Sequence, residues 1–385
     1  MAGERLRFTH LEIENWRNFR HVDIDLRDRV FLAGPNASGK SNFLDVFRFL
    51  HDLASVGGGL QSSVERIRGG VSKIRCLAAR RYPDVRIAVR IGNDYNDDLW
   101  SYEISFNQTN QRIPYIKTER VSREGKKVFS RPDRLDEGDE DRLTQTYLEQ
   151  VTANKDFREI VDFFSSIRYL HVVPQLVREP DRSVGKSEDP FGGDLLERIM
   201  QTQERTRRAW FRRITRALQV AVPSLQELLP ERDERGVAHL KGRYKHWRPL
   251  GAWHSERDFS DGTLRLLGLL WAVLSGNGPL LLEEPELSLN PGVVRYLPQM
   301  FYQMQKRSGR QVIVSTHSPD LLIDEGIDPG EVLLLNPSDD GTEITPASNF
   351  QDLVNLLRFG GDFGRAVMAK VGPLSAEQLP LFLKE

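Results

Sequence analysis

The sequence predicts an α/β protein with a mixed sheet, an antiparallel β arm and an inserted helical subdomain. An apolar run at 30–33 leads through a glycine-rich loop into a helix-like segment at 42–50. Alternating apolar and polar residues are typical of antiparallel strands, and they recur at 5–13, 21–26, 85–91, 99–106 and 113–121. Apolar residues at helical spacing dominate the middle of the chain, at 142–168 and 194–222.

The remaining elements are shorter. We expect strands at 168–173, 237–244, 247–250, 280–282 and 311–314, and a hairpin from 332–335 to 342–345. We expect helices at 264–274 and 349–357, and a short one beginning near Ser224. The acidic block 133–141 reads as a flexible turn, and 178–193 reads as a mobile loop.

Composition limits the class of protein. The chain has 385 residues, 39% hydrophobic and 28% charged, enough for one large or several ordinary domains. No apolar stretch is long enough to cross a bilayer, and the N-terminus lacks an apolar signal region, so we expect a cytoplasmic protein with no membrane span. The single cysteine, Cys76, excludes an internal disulfide framework and a multi-cysteine metal site.

The glycine-rich loop at 34–41 has the pattern G-x-x-x-x-G-K-S between a strand and a helix. In that context, backbone N–H groups surround phosphate oxygens, the lysine reaches the β- and γ-phosphates and the serine hydroxyl binds Mg²⁺. The loop therefore predicts a nucleoside triphosphate with Mg²⁺. The predicted binding residues are Gly34, Asn36, Ala37, Ser38, Gly39, Lys40 and Ser41.

Two acids follow a buried strand, Glu283 and Glu284, where a parallel sheet would hold them beside the phosphate loop. The first would orient Mg²⁺ or its water, and the second would polarise the attacking water. A surface turn is the alternative. His317 follows the next strand and can reach the same end of the sheet, as a partner of the γ-phosphate or as an ordinary structural histidine.

The segment Ser260-Asp261-Gly262-Thr263 precedes a strongly apolar helix. Ser260 or Asp261 could simply cap that helix. Alternatively, the helix N-terminus, the Ser260 hydroxyl and the close approach allowed by Gly262 form a second phosphate cradle. One protein molecule does not need two such cradles on the same side of one γ-phosphate, whereas a site formed between two protein molecules would need both.

Together these segments resemble the Walker A, signature, Walker B, D-loop and H-loop motifs of ABC-type ATPases. The motifs stand in family order at 34–41, 260–263, 280–286, 288–290 and 315–318. Residues 11–20 resemble the N-terminal motif of the SMC/RecF/OLD branch, whose turn lies near the nucleotide base, and Glu284-Pro285-Glu286 resembles its OLD-like members. The resemblance covers about 1–120 and 250–345 and implies an ABC-type ATPase head.

The resemblance implies ATP and Mg²⁺ as cofactors, and roles for individual residues. Lys40 and Ser41 would bind phosphates and Mg²⁺, with Glu283 at the metal where the family usually has Asp. Glu284 would be the catalytic acid/base and His317 the γ-phosphate switch. Ser260 and Gly262 would complete the site of an opposing subunit, so that a homodimer sandwiches two ATP molecules. Gln175, Arg80 and Arg81 are the candidates for the Q-loop position.

Four segments are expected. Residues 1–120 and 251–345 would form the two parts of the ATPase head, 121–250 an inserted helical lid or docking subdomain, and 346–385 a C-terminal tail. The OLD-like nucleases carry a C-terminal TOPRIM region with an acidic metal cluster. The stretch after Pro319 has no such cluster, so we expect any nuclease to come from another chain.

Two functions are favoured. The first is an ATP-driven switch in a complex with a separate effector, TOPRIM-like or another nuclease, of the kind found among anti-phage ATPases. The second is a RecF-like DNA-binding clamp in repair or recombination. The basic segment 201–216 supports the second. Its arginines, which could instead be a solvated helix face, are Arg205, Arg207, Arg208, Arg212, Arg213 and Arg216. A transporter subunit suits the spacing of the motifs poorly, and a nucleotide-locked scaffold without turnover is also open.

Overall fold

The computed structural model describes residues 5–78, 83–183, 189–247 and 252–372. The strands are β1 (Arg7–Trp16), β2 (Phe19–Asp25), β3 (Arg29–Ala33), β4 (Val85–Gly92), β5 (Trp100–Gln108), β6 (Pro114–Arg123), β7 (Lys126–Arg131), β8 (Arg168–Leu170), β9 (Leu225–Arg232), β10 (Ala238–Tyr244), β11 (Ala252–Ser255), β12 (Leu280–Glu283), β13 (Val312–Thr316), β14 (Val332–Ser338) and β15 (Gly341–Pro346). The helices are α1 (Lys40–Ala54), α2 (Val71–Ile74), α3 (Arg134–Gly138), α4 (Arg158–Ser165), α5 (Pro174–Arg178), α6 (Leu195–Gln201), α7 (Glu204–Ala221), α8 (Asp261–Leu274), α9 (Pro291–Val294), α10 (Leu297–Ser308), α11 (Gln351–Arg358) and α12 (Phe363–Val371).

A mixed sheet in the order β15-β14-β3-β13-β12-β8 forms the centre of the molecule. Every neighbouring pair is parallel except β14 and β15. The carboxyl ends of parallel strands meet at one edge of a sheet. This edge therefore brings together the residues that follow β3, β8, β12 and β13.

A second, antiparallel sheet in the order β2-β1-β4-β5-β6-β7 confirms the predicted β arm. Helix α1 packs between this arm and the central sheet. Phe47 of α1 lies edge-on to Phe8 of β1, with ring centroids 4.8 Å apart, and the same buried cluster includes Leu281 and Ile313 of the central strands. Burial of this apolar surface fixes the start of α1, and with it the preceding loop, against the sheet.

The inserted region differs from the predicted one. The helix expected over 194–222 is two helices, α6 and α7, and the guanidinium of Arg207 donates to the carbonyl oxygens of Met200 and Thr202 at the break (2.7 and 3.3 Å). The short helix expected from Ser224 is wrong, because β9 begins there and pairs with β10. The strand expected at 247–250 lies largely outside the described residues, and β11 pairs with β10 instead.

The acidic block 133–141 is not a flexible turn. It begins with α3, where Asp136 is 1% exposed. Arg131 of β7 donates to Asp136 at 2.8 Å, and Arg142 lies 3.3 Å from the same carboxylate. Two arginines thus neutralise an acid that composition alone places in solvent.

One other prediction is corrected. Residues 142–168 contain α4 with short 3₁₀ turns before it, so the expected long helix is wrong. Within the described ranges, none of the helices has the length and apolar content needed to cross a bilayer. Of the expected tail, α11 and α12 are described, and 373–385 lies outside the described residues.

Candidate functional site

The phosphate loop joins β3 to α1 at the carboxyl edge of the central sheet. Asn36 and Ala37 are exposed at its tip, whereas Gly34, Ser38 and Gly39 are buried. Gly39 has a φ of 96°, a conformation that side chains with a Cβ rarely adopt. The hydroxyl of Ser38 is buried and has no hydrogen-bond partner among the described residues. A buried donor without a partner fits a loop that binds phosphate oxygens.

Lys40 lies inside this loop. Its Nζ donates to the carbonyl oxygens of Gly34 and Pro35, at 2.9 and 3.0 Å. Burial lowers the pKa of Lys40 to about 8, although the charges of Glu284 and Glu283 oppose the shift. The ammonium group is therefore influenced by the negative charges of the two acids at the end of β12, Glu284 and Glu283.

Glu283 contacts two hydroxyl groups. The Ser41 hydroxyl donates to Oε1 of Glu283, and the Tyr169 hydroxyl donates to Oε2. The guanidinium of Arg48 lies 4.3 Å from the centre of the Tyr169 ring. Burial, followed by the charge of Glu283, raises the pKa of Tyr169, so this hydroxyl remains a donor. The hydroxyl of Ser41 and the carboxylate of Glu283 are the hard oxygen ligands that Mg²⁺ prefers.

Glu284 and His317 form a second pair at the same edge. Nε2 of His317 lies 3.0 Å from Oε1 of Glu284. The hydrogen bond from His317 and the charges of His317, Lys40 and His171 lower the pKa of Glu284 against the effect of burial. Glu284 has a φ of 45°, and its N–H donates to the carbonyl of Ser315 at 3.1 Å. Strained backbone of this kind persists where neighbouring contacts hold it.

Asn18, in the turn between β1 and β2, supports the phosphate loop from behind. Its Nδ2 donates to the carbonyl of Ser38 and to Oγ1 of Thr342, at 3.0 and 2.6 Å. Its Oδ1 accepts from Nδ2 of Asn42 at 2.7 Å. A Cβ on Gly39 would lie 2.1 Å from Asn18 Nδ2, so glycine is required there. The turn within 11–20 therefore lies against the loop itself.

The segment 260–263 caps α8, as one of its two interpretations expects. Ser260 Oγ accepts from the N–H of Thr263 at 3.2 Å. A Cβ on Gly262 would lie 2.4 Å from the carbonyl oxygen of Ser288, so Gly262 allows the turn after β12 to approach α8. Among the described residues, no hydrogen bond joins Ser260 or Gly262 to the phosphate loop of the same chain.

Of the Q-loop candidates, Gln175 is exposed on α5, and Arg80 and Arg81 lie outside the described residues. His171, which follows β8, lies closer: its Nδ1 is 3.3 Å from the carbonyl oxygen of Glu283. Neither His171 nor Tyr169 was predicted from the sequence to be a site residue. The only signal for them was the strand predicted at 168–173, which lies at the same sheet edge as Glu283 and Glu284.

The arginines of α7 separate into different environments. Arg207 holds the end of α6, and Arg208 pairs with Glu204. A groove of about 490 Å³ runs between α7 and β9. The arginines that line it are Arg207, Arg208, Arg212 and Arg216, whereas the exposed Arg205 and Arg213 are not among its lining residues.

Comparisons with known proteins identify the family and the fold of this chain. The family model described as "AAA domain, putative AbiEii toxin, Type IV TA system" matches residues 29–324. No curated protein matches the sequence. The chain is similar to the Smc head domain of Pyrococcus furiosus, solved with an extended coiled coil and bound to the C-terminal domain of ScpA. The two share 11% identity with a TM-score of 0.52, over 92% of this chain and 100% of that one.

A second solved structure, an SmcHead bound to the C-winged helix domain of ScpA, is 14% identical, with a TM-score of 0.51 over 88% of this chain and 96% of that one. At these identities the likeness concerns the fold. It confirms the fold of a head of the ABC type. The chain thus belongs to the AAA-domain family described as "putative AbiEii toxin, Type IV TA system", and it has the fold of an SMC-like ABC-type ATPase head.

Proposed function

We propose that this protein binds and hydrolyses Mg-ATP, and that ATP closes a homodimer whose opening and closing switch a partner protein. The observation that carries the proposal is the meeting of two pairs at one sheet edge. Ser41 with Glu283 offers a metal site, and Glu284 with His317 offers an acid/base site. A nucleoside triphosphatase requires both beside a phosphate loop.

The chemistry of the residues fits this assignment. Mg²⁺, when bound, would neutralise phosphate charge, and Ser41 and Glu283 would hold it. Lys40 would exchange its two carbonyl acceptors for phosphate oxygens, which are stronger partners for an ammonium group. Glu284 has a lowered pKa, so it is ionised at neutral pH and able to accept a proton from water.

The homodimer is supported by the position of the α8 N-terminus. A helix N-terminus with a serine hydroxyl favours phosphate oxygens. Ser260 and Gly262 have no hydrogen bond to their own phosphate loop among the described residues. We infer that they contact the ATP bound by a second copy, and that two such contacts close the dimer.

Glu284→Gln tests the proposal. This variant should bind Mg-ATP, fail to hydrolyse it and form a stable dimer, because the closed state no longer decays. Light scattering after size exclusion, with Mg-ATP and with Mg-ADP, measures the dimer, and phosphate release measures turnover. Glu343→Gln, on the exposed face of β15, is the matched control. A Glu284→Gln protein that stays monomeric in saturating Mg-ATP contradicts the ATP sandwich. A wild-type protein without turnover would instead be a nucleotide-locked scaffold.

We propose further that the switch acts on a separate effector, TOPRIM-like or another nuclease, in anti-phage defence in the cytoplasm. The family description, which names a toxin of a toxin–antitoxin system, supports a defence role, and the solved SMC heads are bound to a partner, ScpA. The region predicted as an insertion at 121–250, between head parts 1–120 and 251–345, includes β7 of the arm and β8 of the central sheet, so we propose the part of it that follows β8, with α6, α7, β9 and β10, as the docking subdomain. Co-purification with the product of the neighbouring open reading frame, with and without ATP, tests this arrangement.

The alternative is a RecF-like DNA-binding clamp, and the basic groove between α7 and β9 favours it. Pro230 in the free edge strand β9 lacks an N–H, which disfavours addition of a peptide strand there. Arginine forks on the opposite wall suit phosphates. We expect the double variant Arg212→Glu/Arg216→Glu to abolish salt-dependent DNA binding. The double variant Arg205→Glu/Arg213→Glu changes arginines outside the groove lining and should weaken DNA binding less. Absence of ATP-stimulated DNA binding by the wild-type chain contradicts the clamp.

A further inference from the structure

Glu286 is a nearly buried acid that the proposed reaction does not use. It is 8% exposed, in the turn after β12. Its Oε1 accepts from the hydroxyl of Thr316 at 2.6 Å and from the N–H of His317 at 3.0 Å. Oγ1 of Thr316 in turn accepts from the N–H of Ser318 at 3.0 Å. One carboxylate oxygen therefore joins the turn after β12 to the turn after β13.

These bonds determine where His317 points. The N–H that Glu286 accepts belongs to the residue whose imidazole lies 3.0 Å from Glu284. The N–H of Glu284 donates to the carbonyl and hydroxyl oxygens of Ser315 near the end of β13, at 3.1 and 3.3 Å. The acid and the imidazole of the proposed site thus share one buried framework, and the Glu286 carboxyl group is its acceptor.

The other oxygen of Glu286 is different. Oε2 is buried and has no hydrogen-bond partner among the described residues. Arg265, one turn into α8, carries a buried Nε that also lacks a partner in the described part of the chain. Partial burial lowers the pKa of Arg265, against the charges of Asp261, Glu284 and Glu286. Buried polar atoms without a hydrogen-bond partner, such as Glu286 Oε2 and Arg265 Nε, are rare in native proteins unless another state pairs them.

We propose that Glu286 is a positioning residue that aims His317 at Glu284, and that its second oxygen pairs with Arg265 when α8 moves. The inference rests on the proposed function, because it adds regulation to the same site. Ser260 lies at the N-terminus of α8, and Arg265 follows it on that helix. Contact between Ser260 and the ATP of a second copy would move α8, and this movement would be transmitted to His317 through Arg265 and Glu286. Dimer closure and hydrolysis are coupled by this route.

Single-turnover hydrolysis and ATP affinity, measured separately, test the positioning role. Glu286→Ala should slow hydrolysis by about 30-fold and leave the Kd for ATP within about 3-fold, since it misplaces His317 without touching the phosphate loop. Glu286→Gln keeps an acceptor oxygen for Thr316 and His317, and should slow hydrolysis by only about 5-fold. Glu343→Gln is again the control. Wild-type hydrolysis by Glu286→Ala, or equal losses in Glu286→Ala and Glu286→Gln, overturns the positioning role.

A double-variant cycle tests the link to α8. Arg265→Met alone should slow hydrolysis by about 5-fold, and adding it to Glu286→Gln should slow it no further, because both remove the same ion pair. If hydrolysis by the double variant is instead about 25-fold slower, the product of the two single effects, coupling through Arg265 is overturned.

A folding control and a replacement variant keep the test of the positioning role interpretable. Thermal unfolding without nucleotide identifies a variant that fails to fold. If Glu286→Ala does, Thr316→Val replaces it, because this change removes one donor to Oε1 and keeps the carboxylate. Thr316→Val should slow hydrolysis with unchanged ATP affinity, and an unchanged rate overturns the inference.

Glu284→Gln separates the two proposals. If Glu284→Gln hydrolyses ATP normally, the proposed function fails. If Glu284→Gln loses hydrolysis while Glu286→Ala hydrolyses ATP normally, only the positioning role is refuted.

Discussion

Ser41 donates a hydrogen bond to Glu283 although the two residues are 242 positions apart in the sequence. Ser41 belongs to the first turn of α1, and Glu283 is the last residue of β12. Strand β13 lies between β3 and β12 in the sheet, so the contact spans two strand spacings and depends on the parallel register of all three. The proposed metal site therefore exists only when both halves of the head are assembled.

Tyr169→Phe should weaken the response to Mg²⁺. The lost hydroxyl is the donor that orients the second oxygen of Glu283, and removal of such an outer partner typically costs about 10-fold in metal affinity. We expect the Mg²⁺ concentration for half-maximal ATPase activity to rise by about that factor, with metal-free nucleotide affinity unchanged. Titration of activity with MgCl₂ measures it. Tyr296→Phe, on an exposed tyrosine, is the control, and an unshifted Mg²⁺ curve contradicts the role of Tyr169.

Lys40→Ala should abolish ATP binding and ATP-dependent dimer formation without unfolding the protein. The burial that lowers the pKa of Lys40 also means that its charge costs the folded state free energy. Loss of the two carbonyl contacts is offset by relief of that cost, so the free energy of unfolding without nucleotide should change by less than about 1 kcal/mol. Calorimetric ATP titration and urea unfolding measure the two effects. Lys126→Ala is the exposed control, and retained ATP affinity would refute the phosphate-loop assignment.

Asn18→Ala should loosen the phosphate loop. The variant removes the amide that bridges the Ser38 carbonyl and the Thr342 hydroxyl, and it leaves a methyl group under Gly39. We expect about a 10-fold weaker Kd for ATP and faster amide exchange across 34–39, with a smaller change for Asn349→Ala at an exposed site. Equal ATP affinity in Asn18→Ala and wild type would show that the loop holds its shape without this turn.

Glu119 should make the β arm less stable as pH rises. Burial raises the pKa of this fully buried carboxyl group from its ordinary 4.5 to about 7, against the N–H of Tyr147 and the charge of Arg131. Between these values the folded state binds a proton that the unfolded chain does not, so the stability contribution is present at low pH and falls as pH rises through the window.

Glu119→Gln cannot titrate and serves as the reference. The free energy of unfolding of the wild type, relative to Glu119→Gln, should fall by about 2 to 3 kcal/mol between pH 5 and pH 7.5. Urea unfolding at several pH values measures the difference. The exposed Glu343→Gln should show no such change, and a flat wild-type difference would mean that Arg131 keeps Glu119 ionised throughout.

The parts of the site that follow parallel strands were predictable from the sequence. Apolar runs before Gly34, Glu283 and His317 identify buried strands, and parallel strands present their carboxyl ends at a common edge. The structure brings these residues together as expected, while their roles in ATP hydrolysis remain predictions.

The residues that sequence reasoning missed depend on contacts between distant segments. Tyr169 lies in a strand of three residues, and only the pairing of β8 with β12 brings it to Glu283. Asn18 becomes a support of the loop because Thr342 meets it from the other end of the chain. Asp136 reads as solvent-exposed in an acidic block, and its burial follows from Arg131 on the preceding strand. Short sequence patterns predict none of these three contacts.

The order of the central sheet has a consequence for synthesis of the chain. Strand β3 is apolar along most of its length and fully buried, and its neighbours on both sides, β13 and β14, come from the last quarter of the sequence. At typical translation rates Arg29 leaves the ribosome about 15 to 60 s before its partner Val312. During that interval an aggregation-prone segment has no strand to pair with, so the nascent chain should depend on chaperones until its second half emerges.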